Sequence, residues 1–90
     1  MARPIRSIAV ASRYVRSFRN LTPRLQNRLI TRERFFRVDA LDPKLGTHKL
    51  QGPLAEFWSY RIDRRYRVLF EFTGPDSVLY HDVGLHDVYR

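Results

Sequence analysis

The sequence predicts an α+β domain in the order β-α-α-β-β-β, a small antiparallel sheet with two N-terminal helices packed on one face. Three observations carry this. Apolar residues from 11 to 40 recur with the period of a helix, and those from 58 to 83 alternate with the period of a strand. Between the two stretches stand Pro43 and Gly46, which both discourage helix continuation. The elements follow in order. Residues 5–11 are short and apolar-rich, which suits a first strand with Ile8 and Val10 on one face. From Ser12, the residues Ala11, Tyr14, Val15, Phe18 and Leu21 share one side of a helix. Asn20-Leu21-Thr22-Pro23 breaks it, and Thr22 as N-cap with Pro23 in the first helical position starts a second helix. Leu25, Leu29, Phe36 and Ala40 form the apolar stripe of that helix.

Residues 47–54 read as an ordered loop punctuated by Gly52-Pro53. Trp58, Tyr60 and Ile62 then alternate with Ser59, Arg61 and Asp63, and Tyr66, Val68, Phe70 and Phe72 with Arg67, Leu69 and Glu71. Arg64-Arg65 is the expected tight turn between these strands, and Thr73-Gly74-Pro75-Asp76 a stronger one after them. Val78 to Val83 is the last strand, and Gly84 lets the chain bend away. Helices on one face of such a meander leave the other face open, where Ser59, Arg61 and Arg67 are expected. Cations on neighbouring strands, about 4.8 Å apart, can share one phosphate.

Ninety residues are expected to form a single domain, 1–90, with one core and one functional surface. The absence of cysteine excludes a disulfide scaffold, a thiol nucleophile and a thiolate zinc site. No run of about 18 apolar residues occurs, and the N-terminal stretch lacks an apolar signal core, so a cytoplasmic location without membrane contact is expected. Charge is uneven: residues 1–37 carry +9 and residues 38–90 carry −1 of the net +8, with 15 Arg against 2 Lys. An arginine-rich excess points to a polyanion, since the guanidinium forks onto phosphate and stacks on bases, although it can also serve solubility alone. The sequence has no Gly-rich phosphate loop, no Ser/His/Asp nucleophile arrangement and no paired-carboxylate motif. Three histidines remain. His48 and His86 follow glycine-containing turns, where catalytic side chains concentrate. His81 lies within a strand and reads as structural or merely exposed; with His86 it makes only a weak zinc pattern. No metal or other cofactor is expected. An imidazole of near-neutral pKa can take the proton of a ribose 2′-OH, another acid can protonate the leaving 5′-oxygen, and arginines can hold the extra negative charge between them.

Four pieces in order, His48-Lys49-Leu50-Gln51-Gly52-Pro53-Leu54, Trp58-Ser59-Tyr60-Arg61-Ile62, Tyr66-Arg67-Val68-Leu69-Phe70 and Val83-Gly84-Leu85-His86-Asp87-Val88-Tyr89-Arg90, resemble the RelE/ParE toxin superfamily. Within it the sequence is most similar to YafQ-like, RelE/StbE-type mRNA interferases. The resemblance implies a RelE-like fold and the toxin of a type II toxin–antitoxin pair. It also implies a ribosome-dependent, metal-independent endoribonuclease that inhibits translation. Its partners would be a cognate antitoxin and the ribosome with its mRNA. Carried over by position, His48 and His86 match the two histidines of such sites, Arg61 and Arg67 the basic strand positions, and Tyr89 the aromatic near the C-terminus. Where YafQ-like sites have a further histidine and aspartate, this chain has Arg61 and Arg65. Arg65, Lys49, Arg28 and Arg32 are the expected RNA contacts. Two other functions stay open at this point: a ParE-like gyrase poison that shares the fold but carries no nuclease site, and a non-enzymatic module that binds RNA or an antitoxin.

Overall fold

In a computed structural model, which describes residues 2–86, the chain runs β1 (Ser7–Val10), α1 (Ser12–Arg19), α2 (Pro23–Val38), β2 (His48–Lys49), β3 (Trp58–Arg61), β4 (Tyr66–Gly74) and β5 (Ser77–Leu85). Single 3-10 turns stand at Pro43–Leu45 and Gly52–Leu54. The five strands form one sheet in the order β1-β5-β4-β3-β2.

The helices begin and end where local chemistry dictates. Thr22 caps α2 by accepting a hydrogen bond from the Leu25 amide, with Pro23 behind it. Tyr14 of α1 and Leu29 and Phe36 of α2 are buried, with Ala40 sealed just beyond the helix. Both helices lie against the same sheet face, Tyr14 on Tyr80 and Phe36 on Tyr60 and Phe70, at ring-centroid distances of 5.1, 4.5 and 5.0 Å. Tyr60 and Tyr80 satisfy their buried hydroxyls with each other, 2.8 Å apart.

The sheet is mixed rather than wholly antiparallel. β2 through β5 pair antiparallel, but β1 lies parallel to β5, Ser7 opposite Ser77 and Val10 opposite Tyr80. A chain that leaves β1 into a helical pair and returns through a meander can lay its last strand beside its first, covering an edge that would otherwise be unpaired. The N-terminal strap is stitched on both sides: the Ile5 amide donates to the Arg37 carbonyl, and the Arg6 amide to that of Asp76. Asp39 takes the amides of Arg3 and Leu41, and these hydrogen bonds hold its carboxyl below the usual range.

Four further expectations are corrected. Residues 47–54 are not only loop, because His48 and Lys49 pair with Ser59 and Trp58 as a short edge strand. The β3–β4 connection is wider than an Arg64-Arg65 tight turn. Arg61 and Arg67 are the last ladder partners, the Ile62 amide still donates to the Tyr66 carbonyl, and residues 63–65 loop around Asp63, whose carboxylate accepts from the amides of Arg65 and Tyr66. β5 does not bend away at Gly84, which pairs with Arg67 before the strand ends at Leu85. Nor is Ser59 on an open surface. It is 1% exposed, because Leu50, Leu54 and Phe57 fold over Leu69 and cover that part of the outer face.

Candidate nucleic-acid interface

The outer face of the sheet carries the site residues in one row. Strand alternation gives Tyr60, Ile62, Val68 and Phe70 to the helices, and so gives Ser59, Arg61, Arg67 and Leu69 to the other side. Arg61 and Arg67 are direct cross-strand partners. Like charges directly opposite destabilise a strand pair, so the sheet tolerates the pair only with compensation. Arg67 bends back, donating to the carbonyls of Asp63 at 3.0 Å and Tyr66 at 3.4 Å. Its pKa is lowered by burial first and by Arg61 second. An anion laid over the two guanidiniums relieves that repulsion.

His48 stands beside Arg61. It pairs with Ser59, which gives it the same facing as Arg61, and its Nδ1 lies 3.0 Å from the Gly46 carbonyl. The same Gly46 adopts φ +59°, and a Cβ built there would come within 3.2 Å of Arg61 Nε. Glycine is what lets the chain turn into β2 while the Arg61 side chain lies across it. At the other end of the row, His86 follows β5 one residue past Leu85, exposed, its amide donating to the Arg65 carbonyl at 2.8 Å. Alternation stops with β5 at Leu85, so the register sets how far along the sheet His86 stands, just past the Tyr66–Leu85 pair.

His48 and His86 therefore flank the arginine pair without touching. With β3 and β4 between their strands, they are about 14 Å apart across the sheet and about 13 Å along it. Tyr89 lies outside the described residues. Lys49 pairs with Trp58, on the parity opposite to His48. Arg28 and Arg32 are tethers as well as cations: Arg28 Nε donates to the Ile62 carbonyl at 2.8 Å, and Arg32 to the carbonyls of Arg61 and Lys44. Sequence reasoning missed Lys44, Arg24 and Arg64 as part of this cationic surface; the four-residue spacing Arg24, Arg28, Arg32 was the available signal.

His81 is elsewhere in its chemistry. Leu69 pairs with Asp82 and Phe70 with Tyr80, so His81 is the extra residue of a bulge. Its Nε2 meets Glu71 Oε1 at 2.9 Å, and its ring meets that of Phe57 edge-on. Asp82 is buried and held by Ser17 and Arg13 of α1. Among the described residues, no three His, Asp or Glu side chains gather so as to hold a metal ion, and no helix is long and apolar enough to cross a membrane.

No family model matches the sequence, and no curated protein matches it. Solved structures do. The E. coli DinJ–YafQ toxin–antitoxin complex matches at TM-score 0.72 and 16% identity, over 92% of this chain and 94% of that one. The RelBE2 toxin–antitoxin complex of Mycobacterium tuberculosis matches at TM-score 0.66 and 19% identity, over 88% and 95%. A YoeB/ParE toxin from Agrobacterium tumefaciens matches at TM-score 0.69 and 17% identity, over 90% and 99%. At these identities the likeness defines the fold: two helices on a five-stranded mixed sheet, the fold of RelE/ParE-type toxins, YafQ among them.

Proposed function

We propose that this chain is the toxin of a type II toxin–antitoxin pair and that it cleaves messenger RNA on the ribosome. The observation that carries the reading is the Arg61–Arg67 pair, set in register on neighbouring strands with His48 on one flank and His86 on the other. A phosphodiester seated on the two guanidiniums would have one histidine to recruit from each side. In-line cleavage asks for that arrangement: one histidine takes the 2′-OH proton as the 2′-oxygen attacks phosphorus, and the other protonates the departing 5′-oxygen. The products are a 2′,3′-cyclic phosphate and a 5′-hydroxyl. The arginines offset the added negative charge of the transition state. Both proton transfers take place at one phosphorus, so the His48 and His86 side chains have to close on it from backbones about 19 Å apart. The cationic row and α2 also suit an acidic antitoxin segment that masks them. The likeness to solved toxin–antitoxin complexes supports the toxin reading.

His86→Ala is the decisive substitution, because His86 is exposed and its loss leaves the core untouched. Translation-coupled mRNA cleavage should fall 10²–10⁴-fold, about what a general acid or base supplies, with the thermal midpoint unchanged. Undiminished cleavage would remove His86 from the chemistry. Gyrase-linked DNA breaks in place of RNA cleavage would replace the reading with the ParE-like one.

A further inference from the structure

The cations do not stop at the outer row. Around the β3–β4 turn, on the helix side of the sheet, Arg24, Leu25 and Arg28 face Arg64, Arg65 and Tyr66 across a groove of about 470 Å³. Asp63 is the one acid among the described residues lining it. A second hollow, lined by Arg28, Arg32, Lys44, Arg61, Asp63 and Arg64, connects this groove to Arg61 of the arginine pair, because Arg28, Asp63 and Arg64 belong to both. Arg24, Arg28 and Arg32 succeed one another every four residues, a rise of about 6 Å per step along one helix face. Successive phosphates of a strand pulled out of its stack lie farther apart than the duplex rise of about 3.4 Å, so the helical row can follow them.

The surface is also prepared for an anion. Arg28 and Arg32 each spend their Nε hydrogen on a carbonyl at the end of β3, which fixes their planes at the rim. A guanidinium has further N–H donors to offer. The Arg32 pKa is lowered by burial first, then by Arg28 and Arg61: like charges are crowded here, and a bound phosphate would relieve them.

We propose that this groove is a second subsite for the same RNA strand. It takes a flanking nucleotide, with its phosphate on Arg24, Arg28 and Arg64 and its base against Tyr66 beside Leu25. The inference rests on reading the outer row as an RNA site. An acidic peptide is the competing occupant. An amphipathic helix needs an apolar stripe to lie on, whereas Leu25 and Tyr66 are the only large apolar side chains lining the groove among the described residues. A single ring suits a base. From Arg61 to Arg24 the lining is cationic but for Asp63, whose Oδ1 is taken up by the Arg65 and Tyr66 amides, so a continuous strand can follow it.

The test is equilibrium binding by the full chain of a fluorescent single-stranded RNA of about twelve nucleotides, beside a dinucleotide too short to leave the outer row. Arg24→Gln with Arg64→Gln, both at exposed positions, should weaken the longer RNA tenfold or more. The salt slope should flatten by about 0.7 for each phosphate that the protein no longer neutralises, and dinucleotide binding should stay unchanged. Tyr66→Leu should weaken the longer RNA at least fivefold, with the thermal midpoint checked in parallel. Unaltered binding of the longer RNA by a folded double variant would overturn the subsite. So would a double variant that releases a poly-glutamate peptide while holding RNA as before, which would give the groove to an acidic partner. Because the readout is affinity, it stays separate from the nuclease reading: His86→Ala with full cleavage sinks that reading and leaves this measurement interpretable.

Discussion

On the helix side of the sheet, Phe36, Tyr60, Phe70 and Tyr80 close on one another with centroid distances of 4.5 to 6.2 Å and none is exposed. On the outer side, among the described residues, Leu50, Leu54, Phe57 and Leu69 make the apolar cluster, and beyond it Arg61 and Arg67 stand opposite each other. The two faces are written on the same strands: in β3, Tyr60 is fully buried while the next residue, Arg61, is exposed. Alternation thus fixes each cation to a backbone that the aromatic core holds rigid. One face supplies stability, and the other presents side chains that would repel one another in the absence of an anion.

Substitutions can break this division. Phe36→Ala, at a site with no exposure, should cost about 3–5 kcal/mol of unfolding free energy. Leu69→Ala, in the smaller outer cluster, should cost nearer the low end of the leucine range, about 2 kcal/mol. Chemical denaturation measures both. An outer-face loss equal to or above that of Phe36 would mean that the two faces share the burden of stability.

The Tyr60–Tyr80 pair sharpens the contrast. Tyr60→Phe leaves the Tyr80 hydroxyl unpaired in the core and should cost about 1–3 kcal/mol, whereas the double change to Phe should recover much of that. Burial raises both phenol pKa values above the usual 10. Below pH 10 both tyrosines are protonated folded or unfolded and their contribution is whole. Above it the unfolded chain ionises first, so stability falls as pH rises. The double variant should lose the part of this alkaline limb that Tyr60 and Tyr80 supply and keep that of Tyr14, whose phenol pKa burial also raises; an undiminished limb would assign the pH dependence to other groups.

Legibility in the sequence followed the range of the interaction. Thr22-Pro23 announced the start of α2, and the stripe Leu29, Phe36, Ala40 announced what it buries, because capping and helical period are local. That Arg61 and Arg67 share the outer face also followed from alternation, but their direct pairing did not, since a turn at Arg64-Arg65 sets Arg61 opposite Val68. The parallel docking of β1 on β5 depends on pairing between residues some 70 positions apart, Ser7 to Ser77, and leaves no periodic trace. Ser59 becomes buried only because a segment that is not periodic itself folds over it. The tethering of Arg28 and Arg32 depends on carbonyls that β3 exposes where it ends, which no spacing within α2 encodes.

The most direct measurement is to induce the chain in cells and map the ends of cleaved transcripts by their chemistry, with DNA breaks scored in the same culture. New 5′-hydroxyl ends should appear within translated messages, matched by 2′,3′-cyclic or 3′-phosphate ends and abolished by replacing Arg61 together with Arg67. Intact transcripts alongside gyrase-linked DNA breaks would contradict a nuclease built on that arginine pair.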